Sequence, residues 1–93
     1  MGPAENTSEP PQATNELSFG GKAVGLSFNP SGVDTPVGHN VNELKTQIAT
    51  FIDFCNNMRL GSEDPEVKRM LSVAITEAQT AQMWAVKAAT WSN

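Results

Sequence analysis

The stretch VNELKTQIATFIDFCNNMRLGSEDPEVKRMLSVAITEAQTAQMWAVKAATW, residues 41–91, decides the fold. In its first part Val41, Leu44, Ile48, Phe51, Cys55 and Met58 step by three and four. That apolar seam predicts an amphipathic helix over residues 41–60. Asn40 with Glu43 resembles a capping box at its start, and Gly61 after Arg59-Leu60 is a stop signal. Asp64-Pro65-Glu66 then opens a second helix, with Asp as the cap, Pro in the first turn and an acid near the positive end of the dipole. Neither Gly nor Pro follows, so this helix is expected over residues 64–91. The link is short enough to force an antiparallel hairpin. The expected fold class is therefore all-α: a helical hairpin over residues 41–93, preceded by an ordered loop.

Upstream the composition changes twice. Residues 16–40 set Leu17, Phe19, Val24, Leu26 and Phe28 among glycines too irregularly for a long helix, and Gly20-Gly21 and Gly25 break any period. Phe28-Asn29-Pro30-Ser31-Gly32 reads as an extended residue entering a Pro-led turn. This segment is expected to be a glycine-rich loop with aromatic anchors, where binding groups tend to sit. Residues 1–15 hold Pro, Glu, Thr, Asn and Gln with almost no apolar side chains, and are expected to form a disordered tail.

The second helix has more apolar surface than one hairpin partner can cover. Val67, Leu71, Ala74, Ala78, Ala81, Ala85 and Ala88 form one seam, yet Met70, Val73, Ile75, Met83, Trp84, Val86 and Trp91 lie on other faces. Residues such as Met83, Trp84, Val86 and Trp91 contribute about 1.5–3 kcal/mol each when buried. Self-association is the physical expectation, because a monomer rarely leaves such a patch in water. The alternative is that the glycine-rich loop folds over the tryptophans within the same chain.

Six Lys+Arg against ten Asp+Glu give a net charge of −4 over 93 residues. That balance argues against long DNA or RNA, whose affinity comes from many phosphate contacts. A small phosphate ligand held by a few cations is still allowed. Cys55 is the only cysteine, which excludes an intrachain disulfide framework and suits a reducing compartment. Neither a leader pattern nor a membrane-spanning run is evident, so an intracellular, membrane-free protein is expected. Enzyme chemistry finds little support. His39 stands alone, Cys55 lies on the first seam, and the sequence carries no metal-ligand pair, P-loop or dinucleotide fingerprint. No catalytic residue, metal or cofactor is expected. Asp53 reads as a surface residue. Arg69, with no acid four residues away on either side, reads as a cation free for a ligand or another chain.

Two stretches carry a family resemblance. Residues 24–32, VGLSFNPSG, followed by Val-x-x-Leu-Lys at Val41 to Lys45, form the first; residues 74–88, AITEAQTAQMWAVKA, form the second. Together, over residues 24–91, they resemble the phage anti-CBASS sponge family and its helical-hairpin relatives among the anti-Thoeris sponges. The resemblance implies a helical homohexamer in the cytoplasm of an infected bacterium. It would bind cyclic dinucleotides, and in some members cyclic trinucleotides at separate pockets, without cleaving them. It also implies site roles. Phe28, with Asn29 and Pro30 beside it, would stack on a base, and Lys45 would pair with phosphate. Lys87 and Thr90 would serve the trinucleotide pocket. The chain has no tyrosine, so if the stacking position is usually Tyr, Phe28 keeps the ring without the hydroxyl. Relatives that take cyclic ADP-ribose derivatives carry a β-rich region, for which residues 1–23 are too short and polar.

Two other readings stand beside the sponge: a structural adaptor whose tryptophans dock a protein, and an enzyme that opens a cyclic nucleotide. All three need the extra apolar surface explained. Light scattering at micromolar concentration should show a multi-chain particle; a stable single-chain species would remove the clefts that the ligand reading requires.

Overall fold

The computed structural model describes residues 17–29, 31–32 and 34–91. The expected tail over residues 1–15 lies outside these residues, as do Pro30, Ser92 and Asn93. Among the described residues the regular elements are helices: α1 (Phe19–Ala23), α2 (Pro36–Gly61) and α3 (Pro65–Ala89). α2 and α3 form the antiparallel hairpin, and α1 with its following turns lies along α2.

α2 begins earlier than expected. Thr35 is its N-cap, with Oγ1 accepting from the Gly38 N–H at 2.8 Å, and Pro36 enters the first turn. Thr-Pro is a start signal of the same kind as Asp64-Pro65, and it takes precedence over the capping pattern at Asn40. Asp64 caps α3 as expected, accepting from the Glu66 N–H at 2.9 Å.

The buried stripe differs from the heptad reading by one residue at several steps. On α2 it comprises Val41, Lys45, Ala49, Ile52 and Cys55, while Phe51 and Met58 are exposed. On α3 it holds Ile75, Ala78 and Gln82, while Ala81 and Ala88 face outward. The cause is the helix period. A straight helix repeats every ~3.6 residues, so a seven-residue spacing drifts by about 20° per heptad. Counting from Val41 at that period lands on 45, 52 and 59 instead of 44, 51 and 58. Counting from Leu71 lands on 75, 78 and 82.

The core joins Val24, Ala49, Ile52, Cys55, Ile75 and Ala78, with Leu26, Ile48 and Leu71 packed at its edge. Val24 belongs to the segment expected to be a loop. That segment contains α1 because its glycines pack closely instead of breaking structure. Gly20 lies so near α2 that an added Cβ would come 2.1 Å from the Ala49 carbonyl oxygen. The Ser18 hydroxyl accepts from the Gly21 N–H at 2.9 Å, and Asp53 accepts from the Gly20 N–H at 2.6 Å. Asp53 is therefore a half-buried cap for α1, not a free surface residue. Gln79 on α3 donates to the Ala23 carbonyl at 3.0 Å, tying the end of α1 to both arms of the hairpin.

This segment covers the hairpin along Ala49, Ile52 and Gln79 and leaves the tryptophans open: Trp84 is 67% and Trp91 66% exposed. Intrachain cover of the indoles is thus not what the described residues show. The Cα atoms span 48 × 38 × 12 Å, and a depth of 12 Å leaves no room for a second full helical layer.

Gly20→Ala should lower the unfolding free energy by about 1–3 kcal/mol, the usual cost of overpacking a close contact. Gly61→Ala, where an added Cβ meets nothing within 4 Å, should be neutral or stabilising by up to about 1 kcal/mol. Urea unfolding of the two variants checks the contrast.

Candidate ligand-binding site

Beyond α1 the chain reverses at Gly25, whose φ of +64° suits glycine. The Phe28 N–H then returns to the Gly25 carbonyl at 3.0 Å. Lys45 rises from α2 into this turn. Its Nζ donates to the Gly25 carbonyl at 3.0 Å and to the Phe28 carbonyl at 2.5 Å, and it stands 5.4 Å from the centroid of the Phe28 ring. Lys45 is only 5% exposed, whereas Phe28 is 65% exposed. The backbone thus fixes the ammonium behind a ring that faces solvent. An ammonium has three donors, and the carbonyls engage two of them.

Asn29 secures the next turn. Its Nδ2 donates to the Gly38 carbonyl at 2.7 Å, and its Oδ1 accepts from the Ser31 N–H at 3.1 Å. The Gly32 N–H closes onto the Asn29 carbonyl at 3.1 Å. Gly32 passes so close to α2 that a Cβ on Gly38 would lie 1.5 Å from its carbonyl oxygen. Asn29 is therefore committed to holding the loop on α2. Phe28, Asn29 and Lys45 come together as one unit, while Pro30 lies outside the described residues.

A second cation–aromatic cluster occupies the end of α3. Lys87 Nζ lies 5.4 Å from the Trp84 ring and 5.9 Å from the Trp91 ring. An open groove of about 240 Å³ is lined by Met83, Trp84 and Lys87. Its volume is below the ~300–1,000 Å³ of an ordinary small-molecule pocket. Thr90 caps the helix, and its hydroxyl donates to the Val86 carbonyl at 2.8 Å. That proton is used, so toward any ligand Thr90 can only accept.

Arg69 is not the free cation its i±4 neighbours suggested. It forms an exposed ion pair with Glu66 at 2.5 Å, three residues earlier. The guanidinium holds the Glu66 carboxyl below its usual range.

A family model for the Acb2/Tad1 hairpin domain matches residues 21–90. The chain belongs to this family. It unites the anti-CBASS sponges and the related anti-Thoeris sponges, which bind cyclic-nucleotide messengers. No curated protein and no solved structure matches the chain. Within this Acb2/Tad1 hairpin, the match begins at Gly21. It thus spans the turn over Lys45 as well as both long helices.

The i,i+3 and i,i+4 spacing of Trp84, Lys87 and Trp91 puts flat rings and a cation on one face, so this pairing is legible in the sequence. Two buried polar side chains are not. The burial of Lys45 was hidden because the loop above it lies 17 to 20 residues away in sequence. Gln82, 7% exposed, occupies the same inner stripe and carried no signal beyond the helix period.

Burial pulls the Lys45 ammonium below its ordinary value of 10.5. Between the folded and unfolded values the unfolded chain binds more protons, so stability rises with pH through that window. The destabilisation is fully present below the folded value and is gone above 10.5. Urea midpoints taken from neutral pH toward 10.5 should rise with this component in the parent protein. Lys45→Met should lose that part of the slope, whatever its absolute stability.

Proposed function

We propose that this Acb2/Tad1 hairpin is a phage-encoded, non-catalytic sponge for cyclic di- or trinucleotide immune messengers. By lowering their free concentration in the host cytoplasm it keeps CBASS-type effectors unswitched. The observation that carries the reading is the fixed Lys45 ammonium beside the open Phe28 ring. A nucleotide ligand needs a flat face for its base and a cation for its phosphate, and this pair offers both. The third Lys45 donor is the one available to a phosphate oxygen. Lys87 between Trp84 and Trp91 offers the same chemistry a second time, which suits a second class of cyclic ligand, with the Thr90 oxygen as an acceptor beside it.

Sequestration needs enclosure, and a single hairpin encloses neither ring. The exposed stripe of Phe51, Phe54 and Met58 on α2, with Met70, Val73 and Trp84 on α3, supports assembly into a homo-oligomer, a hexamer by family resemblance. Joining copies would wall in the two clusters and desolvate the phosphates beside fixed cations. The reading assigns no catalytic residue. Cys55 is buried in the core and His39 is exposed at the start of α2.

The exposed Met83–Trp84 groove favours one other reading, an adaptor that docks a protein through α3. One experiment separates the possibilities. The protein is incubated with a panel of cyclic di- and trinucleotides, desalted and heat-denatured. Intact ligand in the supernatant supports the sponge, linear product supports an enzyme, and no retained ligand supports the adaptor. In calorimetric titration Lys45→Ala should weaken cyclic dinucleotide binding by about 2 kcal/mol or more, the cost of leaving a buried phosphate charge without its partner, and Phe28→Ala by about 1–3 kcal/mol, the worth of one base–aromatic stack. The oligomer should persist in both variants, and unchanged affinity would remove these residues from the site.

A further inference from the structure

Arg59, in the last turns of α2, has a setting unlike that of Arg69. It is half-buried, and both of its engaged nitrogens meet neutral partners. Nη1 donates to the Ser72 hydroxyl at 2.9 Å, and Nη2 donates to Asn56 Oδ1 at 2.6 Å. Ser72 gives its own proton to the Lys68 carbonyl, also at 2.9 Å, so its oxygen is held in the accepting orientation toward Arg59. Among the described residues the ion pair found is Arg69–Glu66, and none involves Arg59. Asp53, on the preceding turns, is committed to the Gly20 N–H. The Arg59 guanidinium also lies 5.4 Å from the centroid of the Phe19 ring, and Phe19 is 46% exposed.

A guanidinium has five N–H donors in a fixed plane. Two are clamped by neutral acceptors, which orient the fork without neutralising it, and the remaining donors keep the full charge. An oriented, uncompensated fork beside an open aromatic face suits a phosphate with a planar ring attached. We propose that Arg59 and Phe19 form a binding site for a mononucleotide-type ligand, with phosphate on the free guanidinium edge and base on the open part of the Phe19 ring. This site is separate from the Phe28–Lys45 pair. The two cations are fourteen residues apart on one helix, about 21 Å along its axis. The proposal does not depend on the sponge reading: adenosine monophosphate is not a cyclic messenger, and failure of either leaves the other standing.

The chain contains two arginines, so its Nε–H region in a nitrogen-15 spectrum holds two signals, with paired Arg69 as the internal reference. Adenosine monophosphate added to the full chain should move the Arg59 Nε–H and Phe19 ring signals and leave Arg69 in place. Adenosine alone and inorganic phosphate alone should each bind about tenfold more weakly, the equivalent of losing one charge-assisted hydrogen bond or its stacking counterpart. Arg59→Lys, which keeps the charge and loses the fork, and Phe19→Leu should show the same loss, whereas removal of an exposed cation outside every proposed site, Lys68→Ala, should not. An Arg59 signal that stays fixed, or one that moves together with Arg69, overturns the site. Full affinity in Arg59→Lys overturns it as well, because bulk charge would then account for the binding.

Discussion

Lys45 is the charged side chain that the described fold takes out of water, and the arrangement around it follows from that burial. An ammonium inside a protein must find acceptors, and the acceptors here are the Gly25 and Phe28 carbonyls. Reaching them requires the chain to turn at Gly25 directly above α2. That in turn requires α1 to lie close enough for Gly20 to touch the Ala49 carbonyl. The glycines, the small residue at 49 and the buried lysine are parts of one close approach. Asp53 and Gln79 complete it by satisfying backbone groups at the two ends of α1.

The same close approach fixes what is left open. The α1 segment uses the inner stripe of α2 and one turn of α3, and nothing among the described residues covers the opposite faces. Large apolar side chains therefore remain in water along α2 and near the end of α3. A two-helix unit of this size buries too little on its own to be comfortably stable. In the assembly proposed here those faces would stabilise the fold and form the walls of the ligand clefts at the same time.

The two clusters assigned to cyclic messengers each pair a cation with an aromatic ring, but they differ in stiffness. Lys45 is held by two backbone carbonyls, so its charge is positioned before a ligand arrives. Lys87 rests between two indoles on an exposed helix end, with no hydrogen bond to fix it among the described residues. Preorganisation lowers the ordering cost of binding, and a sponge depends on tight retention more than on turnover. The Phe28–Lys45 unit is better built for that task. The Lys87 cluster needs a neighbouring surface to gain comparable order.

The sequence by itself determined the helical hairpin. Asp64-Pro65 starts one helix after the break at Gly61, and apolar spacing at helical intervals marks both arms. It also placed Phe28 and Asn29 in an ordered loop and singled out Lys45 among few cations. The direction of each helix face was less legible, because apolar residues at 44, 48, 51 and 58 make a seam almost as good as the one actually buried. Only packing, with the true helix period and the small contact at Ala49, chose between them. Tertiary structure alone also decided that Gly20-Gly21 sits in a helix and that Lys45 is buried. Both depend on contacts between residues far apart in the chain, and local pattern carries no record of which backbone will pass within reach.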